Sequence, residues 1–197
     1  MAKYFHFLLV VGINFLISGC AHKIDIAPKL DTIRETKVNQ HNLNVAYFIS
    51  DADKKLEVTT PGGGGDKVKY TPYADTEGAL NAVLSNVFKK VYSIKSLEDK
   101  AFIADKNITY IFEPRIMTTS SSPSPFTWPP TMFTVELTCK ALNPQSGDKL
   151  WQITTNAIGL AEFQEFQNDF GLSAKRASEE AFLKMLKELA QSKNIQK

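Results

Sequence analysis

Histidine and cysteine, which build many catalytic and metal sites, are scarce in this sequence. The 197 residues contain two cysteines, Cys20 and Cys139, and three histidines, of which His22 and His41 follow the first apolar run. A serine or cysteine nucleophile needs a neighbouring base, usually histidine. Structural zinc sites draw on histidine and cysteine. Because both histidines precede the expected folded domain, we predict a protein that is not an enzyme, with no catalytic residues, no metal and no cofactor.

The chain also lacks a charge excess and a long apolar run. It carries 23 Lys and Arg against 21 Asp and Glu, a net charge of +2, so we expect no nucleic-acid partner. The apolar run over residues 5–17 is too short for a membrane helix, which needs about 20 residues. A charged start at Lys3, a short apolar middle and small residues after it are typical of a secretory signal. Residues 1–19 are therefore predicted to be a signal peptide.

Four residues at the end of this signal, Ile17, Ser18, Gly19 and Cys20, resemble the lipoprotein box of bacteria. The resemblance implies that signal peptidase recognises Ile17, Ser18 and Gly19 and cleaves before Cys20. It also implies a diacylglyceryl thioether on Cys20 and acylation of the new amino terminus, which together anchor a protein stably. Residue 21 is Ala rather than Asp, which in lipoproteins implies the periplasmic face of the outer membrane. The alternatives are a plain secretory signal with a chance cysteine and an uncleaved anchor.

Beyond the signal, the composition divides the chain into two parts. Residues 20–42 are polar except for an apolar island at residues 24–30, and we interpret them as the lipidated cysteine and a flexible tether. The tether either holds the domain away from the membrane or lets the island dock on the domain. Residues 43–193 are long enough to form a core and are predicted to be a single periplasmic α/β domain.

Apolar periodicity within this domain predicts an α+β fold. Alternation and β-forming residues predict strands at residues 43–50, 55–60, 108–116, 132–142 and 149–160. Three- and four-residue spacing predicts helices at residues 75–92 and 173–192, capped by Asp75 and Ser173. The expected architecture is a mainly antiparallel sheet with two helices packed on one face. Cys139 falls with the core-facing residues of its strand, which predicts a buried, inert thiol.

Two aromatic residues in a long loop are candidates for contact with a partner or the membrane. The loop at residues 118–131 is rich in Ser and Pro but carries Phe126 and Trp128. Long loops between strands are often functional, and exposed aromatic side chains suit a protein or membrane interface. The alternative is that both rings fold back over an edge of the sheet.

Two other patterns favour structural interpretations. The glycine run at residues 62–65 lacks the lysine and hydroxyl spacing of a phosphate-binding loop, which favours a turn. Glu162, Glu165 and Asp169 alternate with phenylalanines at helical spacing. We interpret this pattern as an aromatic core stripe beside a solvated acidic face.

The order of elements and two short motifs, at residues 26–30 and 146–151, resemble small envelope lipoproteins of the YajG type. A looser resemblance links the chain to PelC-like and curli-secretion lipoprotein subunits. These resemblances imply homo-oligomeric rings as one assembly and envelope assembly or secretion proteins as partners. The leading hypothesis is a non-catalytic scaffold or accessory lipoprotein. The alternative is a periplasmic carrier that binds a lipid or glycan in a cleft between the sheet and the helices.

Overall fold

The structure is a computed structural model that describes residues 21–61, 67–122 and 131–195. The predicted signal and lipidation residues Ile17, Ser18, Gly19 and Cys20 lie outside the described residues. So do Phe126, Trp128 and the glycine run at residues 62–65.

Strands and helices alternate irregularly along the described chain. The strands are β1 Ala21–Lys23, β2 His41–Phe48, β3 Val58–Pro61, β4 Lys67–Tyr70, β5 Phe88–Ile94, β6 Ile108–Ser121, β7 Met132–Leu142 and β8 Lys149–Leu160. The helices are α1 Leu30–Glu35, α2 Asp51–Lys55, α3 Pro72–Val87, α4 Lys100–Asp105, α5 Phe163–Asn168 and α6 Leu172–Gln191, followed by a 3₁₀ turn at Lys193–Ile195.

The main sheet has five strands in the order β5-β2-β6-β7-β8. Strand β2 pairs in parallel with both β5 and β6, while β6, β7 and β8 pair antiparallel. The α+β class is confirmed, but the sheet is mixed, so the expectation of a mainly antiparallel sheet is not confirmed. The cause is residues 88–94, which continue the apolar spacing of the preceding helix. They form β5 because Val91 and Tyr92 suit a pleated strand beside Val45 and Ala46.

Helices α3 and α6 pack on one face of this sheet, as predicted. The inward residues of β7 and the facing residues of α6 are fully or almost fully buried, among them Leu137, Cys139, Phe182 and Met185. Each large apolar side chain contributes about 1.5–3 kcal/mol when it leaves water. Cys139 is 0% exposed, so the prediction that it faces the core is confirmed. A smaller cluster around Ile111 and helix α4 covers part of the opposite face.

A three-stranded sheet in the order β1-β4-β3 packs beside the main sheet. Hydroxyl pairs join the two sheets: the oxygens of Thr60 and Ser120 are 2.6 Å apart, as are those of Tyr70 and Thr118. The Tyr70 ring also lies edge-on to Phe133, with centroids 5.3 Å apart. Burial raises the pKa of Tyr70, which keeps its hydroxyl neutral in this contact.

The segment expected to be a flexible tether is part of the fold. Strand β1 pairs in parallel with β4, and Ile24, Ile26 and Ile33 are buried in the main core. The side-chain amide of Asn86 on α3 donates to the carbonyl of Ile33, which fixes α1 against α3. The apolar island therefore docks, and the described fold begins at Ala21 rather than at residue 43. The island contains few apolar residues, but it docks on the domain because its isoleucines are buried in the core.

Both long helices start before their predicted caps. Helix α3 begins at Pro72, and Asp75 accepts a hydrogen bond from the Thr71 hydroxyl at 2.7 Å rather than serving as the cap. Helix α6 begins at Leu172 after Gly171, and Ser173 is buried inside its first turn. None of the helices within residues 21–61, 67–122 and 131–195 is both long and apolar enough to cross a membrane.

Candidate functional site

Three strands of the small sheet and one strand of the main sheet meet at one end of the fold. Ala21, the first described residue, lies opposite Lys67 in the β1–β4 ladder, and Lys67 lies opposite Pro61. The neighbour of Pro61, Thr60, contacts Ser120 near the end of β6 through its hydroxyl. The chain therefore enters the fold beside both flanks of residues 62–66 and beside the last residues of β6.

The same end continues across the main sheet. Ser121 lies opposite Met132, and Met132 lies opposite Leu160, so β6 ends where β7 begins and β8 ends. The backbone N–H of Ala161 donates to the carbonyl of Thr131 at 2.9 Å, which closes this row. We call this region, marked by Ala21, Ser121, Met132 and Leu160, the entry end.

Large apolar side chains are exposed at the entry end. Leu160 is 60% exposed, Phe163 is 56% exposed and Phe170 is 44% exposed. The ring of Phe170 packs on the buried ring of Phe166, with centroids 5.0 Å apart, and also on His22, with centroids 6.0 Å apart. Clustered exposed apolar side chains of this kind mark interaction surfaces.

An ion pair between α5 and α6 fixes the positions of Leu160 and Phe163. Arg176 donates to both carboxylate oxygens of Glu165, at 2.8 and 2.9 Å, and to the carbonyl of Leu160 at 2.7 Å. The backbone N–H of Glu162 donates to Glu165 at 3.0 Å. The Arg176 hydrogen bond, followed by the Glu162 N–H, lowers the pKa of Glu165 to about 2. The carboxylate is therefore charged at neutral pH and holds the start of α5 in place.

A second ion pair fixes the loop that carries Phe170. Lys175 donates to both oxygens of Asp169, at 2.9 and 3.2 Å, and the backbone N–H of Gly171 donates to Asp169 at 2.9 Å. A Cβ atom added to Gly171 would lie 2.3 Å from the carbonyl oxygen of Asp25. Because of this close approach, the first residues of the described chain pack against the start of α6.

These contacts correct the interpretation of the acidic and aromatic pattern at residues 162–170. Only Phe166 joins the interior, whereas Phe163 and Phe170 are exposed, so the predicted core stripe is wrong for two of its three rings. The acidic side chains Glu165 and Asp169 are paired with cations on α6. Among the described residues, no group of three His, Cys, Asp or Glu side chains is arranged to hold a metal.

The outer face of the antiparallel strands, away from α3 and α6, carries further exposed apolar residues. Met117 is 49% exposed and Ile158 is 61% exposed, and both lie within a few residues of the entry end. They share this face with polar residues: Thr134 lies opposite Ile158, and Glu136 lies opposite Met117. The surface is mixed in character, as protein interfaces often are.

The space between the sheet and the helices, which the carrier hypothesis assigned to a ligand, is filled by core side chains. Gly159 allows this tight packing, because a Cβ there would lie 1.9 Å from the Ser173 carbonyl oxygen. An open cleft of about 640 Å³ lies elsewhere, between residues 25–32 and α6. Its walls carry charges of both signs, including Lys29, Glu179 and Glu180, and such walls do not suit an acyl chain.

The sequence contained a signal for this surface. In β8 the inward positions carry Ala157 and Gly159, so the outward positions Ile158 and Leu160 are apolar without a core reason. Phe126 and Trp128, the predicted contact residues, lie outside the described residues. The residues that flank them, Ser122 and Thr131, are at the entry end.

No protein-family profile and no curated protein sequence matches the chain. Solved structures show a distant likeness. A DUF330 protein from Xanthomonas campestris is 12% identical with a TM-score of 0.46, covering 87% of this chain and 93% of its own. A homolog of a neuraminyllactose-binding hemagglutinin from Helicobacter pylori is also 12% identical with a TM-score of 0.46, covering 82% and 89%.

A PelC dodecamer from Paraburkholderia phytofirmans is 14% identical with a TM-score of 0.44, covering 78% of this chain and 95% of its own. At TM-scores below 0.5, these likenesses assign neither a family nor a function to the chain.

Proposed function

We propose that this chain is a non-catalytic lipoprotein anchored to the periplasmic face of the outer membrane through acyl chains on Cys20. In this proposal it serves an envelope assembly or secretion system as a scaffold or accessory subunit. The observation that carries the proposal is the meeting of two features at one end. The residue after the predicted lipid site enters the fold there, and the exposed ring of Phe170 contacts His22 beside it, with Leu160 and Phe163 also exposed at that end.

The arrangement of surfaces supports an anchored protein with a second, protein-facing side. The entry end suits the membrane, while the outer sheet face with Met117 and Ile158 remains accessible beside it. An anchor restricts the domain to a layer near the bilayer, which raises its effective concentration toward partners in the same layer. A scaffold uses these two properties and needs no catalytic group.

The anchor is tested by Cys20→Ser in cells that produce the full chain. We expect the variant to keep its signal peptide and to lose acyl labelling, while Ala21→Ser serves as a matched neighbouring control. If Cys20→Ser and the unmodified sequence show the same processing and the same acyl labelling, the lipoprotein proposal is wrong.

The scaffold role is tested by photo-crosslinking from the outer face in intact cells. A crosslinking residue at position 158 should capture one or a few defined envelope proteins, or a second copy of the chain. Leu150 is the matched control, because it lies near the opposite end of β8 and is also an exposed large apolar residue. Equal, diffuse products from positions 158 and 150 would contradict the scaffold role. Co-purification of a stoichiometric lipid or glycan would favour the carrier alternative.

A further inference from the structure

We infer that Leu160, Phe163 and Phe170 form a second membrane contact, which inserts into the interface of the leaflet that holds the acyl chains. This inference rests on the proposed lipid anchor and adds an orientation to it. The proposed binding partner of these three side chains is a lipid bilayer rather than a protein.

The absence of a tether is the first argument. Strand β1 begins at Ala21, and Cys20 precedes it directly, so the two Cα atoms are 3.8 Å apart by covalent geometry. A domain with a flexible tether of about 20 residues would sample distances of about 25 Å from its anchor. Here the acyl chains begin within a few Å of the folded surface, so the entry end must lie at the headgroups.

The chemistry of the entry end is the second argument. The ring of His22, two residues from the lipid site, contacts Phe170, which places that exposed ring next to the anchor. Phenylalanine and leucine gain free energy when they leave water for the boundary between headgroups and acyl chains. Without insertion, Leu160, Phe163 and Phe170 would remain exposed to water beside a bilayer.

Charge at the same end fits a headgroup layer. Lys23 is exposed on β1, the strand that carries Ala21, and Lys67 is exposed on the neighbouring strand β4, so their ammonium groups suit phosphate oxygens. The exposed carboxylate of Glu162 precedes Phe163 and opposes these cations, so it limits the attraction to anionic lipid. Apolar insertion therefore dominates the contact, and charge assists it.

Rigid support is the third argument. Arg176 fixes Leu160 and the start of α5, and Asp169 fixes the loop of Phe170, so the exposed side chains stand on an ordered base. A preformed surface loses little conformational entropy on insertion. Insertion at these points, together with the acyl chains, would fix the tilt of the domain and direct its outer sheet face sideways along the membrane.

Depth measurements on the full lipidated chain in vesicles test this inference. Cys139 is buried and burial raises its pKa, and Cys20 is predicted to be acylated, so a thiol-reactive fluorophore would label only an added cysteine. We would label Phe163→Cys and Phe170→Cys separately in vesicles of phosphatidylethanolamine and phosphatidylglycerol. Leu150→Cys is the matched control, about 33 Å from Leu160 along the same strand.

Labels at positions 163 and 170 should shift their emission to the blue and should be quenched by lipids that carry a spin label near the headgroup. The label at position 150 should remain solvent-exposed. Quenching at position 170 should fall by about twofold or more with Phe163→Ser and recover with Phe163→Trp, because both rings contribute to one apolar contact.

Equal exposure at positions 163, 170 and 150 would overturn the inference. Shielding at positions 163 and 170 without lipid quenching would also overturn it, because that result indicates a second copy or a protein partner. Flotation of the vesicles and the acyl mass of the chain are measured in the same samples. If the chain carries acyl groups and floats but positions 163 and 170 stay exposed, only the second contact fails. If the chain carries no acyl group, the anchor itself fails.

Discussion

The imidazole ring of His22 lies against the phenyl ring of Phe170, with centroids 6.0 Å apart and planes tilted by 53°. This contact joins the first residues after the predicted lipid site to the loop before the last helix. Gly171, which has no Cβ atom, lies close to the backbone of Asp25 and supports the same junction. The first described residues are therefore built into the domain, and a membrane anchor attached next to them would also position the domain.

Two glycine substitutions are expected to change the free energy of unfolding in opposite directions, because only Gly159 lies where β8 closely approaches α6. Gly159→Ala places a Cβ 1.9 Å from the Ser173 carbonyl oxygen, where backbone must move, so we expect a loss of about 3 kcal/mol or more in the free energy of unfolding. Gly78→Ala is the matched control inside α3, where the new Cβ would be 3.7 Å from a Leu30 methyl group. It should stabilise by about 0.5–1 kcal/mol. Denaturant titration measures both, and a tolerated Gly159→Ala would contradict the packing.

The pairing of Glu165 with Arg176 predicts a titration shift. The pKa of Glu165 is lowered from 4.5 to about 2, so its contribution to stability is present above pH 4.5 and is lost as the pH falls toward 2. Arg176→Gln should raise this pKa back toward 4.5, whereas Arg176→Lys should keep part of the shift. Carboxyl carbon NMR measures the titration directly. Because the pair is exposed, added salt should also reduce the shift. An unchanged pKa in Arg176→Gln would show that the ion pair does not act on Glu165.

The buried hydroxyl of Ser178 predicts a stabilising substitution. Ser178 is fully buried in the middle of α6, and its hydroxyl oxygen has no hydrogen-bond partner within the described part of the chain. Ser178→Ala removes this unsatisfied group and improves helix propensity, so the free energy of unfolding should rise by about 1 kcal/mol. Thermal unfolding measures this change. Ser173→Ala is a comparison site in the same helix. A loss of stability in Ser178→Ala would mean that the hydroxyl makes a stabilising contact.

The burial of Cys139 predicts a thiol that reacts only after unfolding. Its side chain is 0% exposed, and burial raises its pKa, so little thiolate is available to a modifying reagent. An aromatic disulfide reagent should leave the native protein unmodified for hours and should modify one thiol in denaturant. Thr138→Cys supplies the control, because that position faces outward on the same strand and should react in the native state. Rapid reaction of Cys139 in the folded chain would contradict the core assignment.

Strong periodicity made much of the fold predictable. The alternation in β7 and the turn before β8 gave the hairpin with the observed bounds, and the apolar stripe of α6 gave a helix within one residue of its ends. The cap of α6 was predicted wrongly, because Ser173 is a good cap by type but is buried inside the first turn. Residues 88–94 were missed because a helical stripe ran directly into a strand without a glycine or proline between them.

The candidate site was predictable only in part. The proposed lipidation residue was predicted from a local motif, but the surface beside it depends on long-range contacts. Phe163, Phe166 and Phe170 have the same spacing in sequence, and only tertiary packing decides that Phe166 alone is buried. Likewise, the docking of Ile24 and Ile26 depends on a core built by elements distant in sequence, which no local pattern reveals. The amino-terminal segment therefore looked like a tether.

Mass spectrometry of the mature amino terminus, on chain purified from a membrane fraction, is the decisive test of the proposed anchor. We expect a first peptide that begins at Cys20 and carries a diacylglyceryl thioether together with an amide-linked acyl chain. A first peptide that begins at Met1, or one with an unmodified thiol at Cys20, would contradict it.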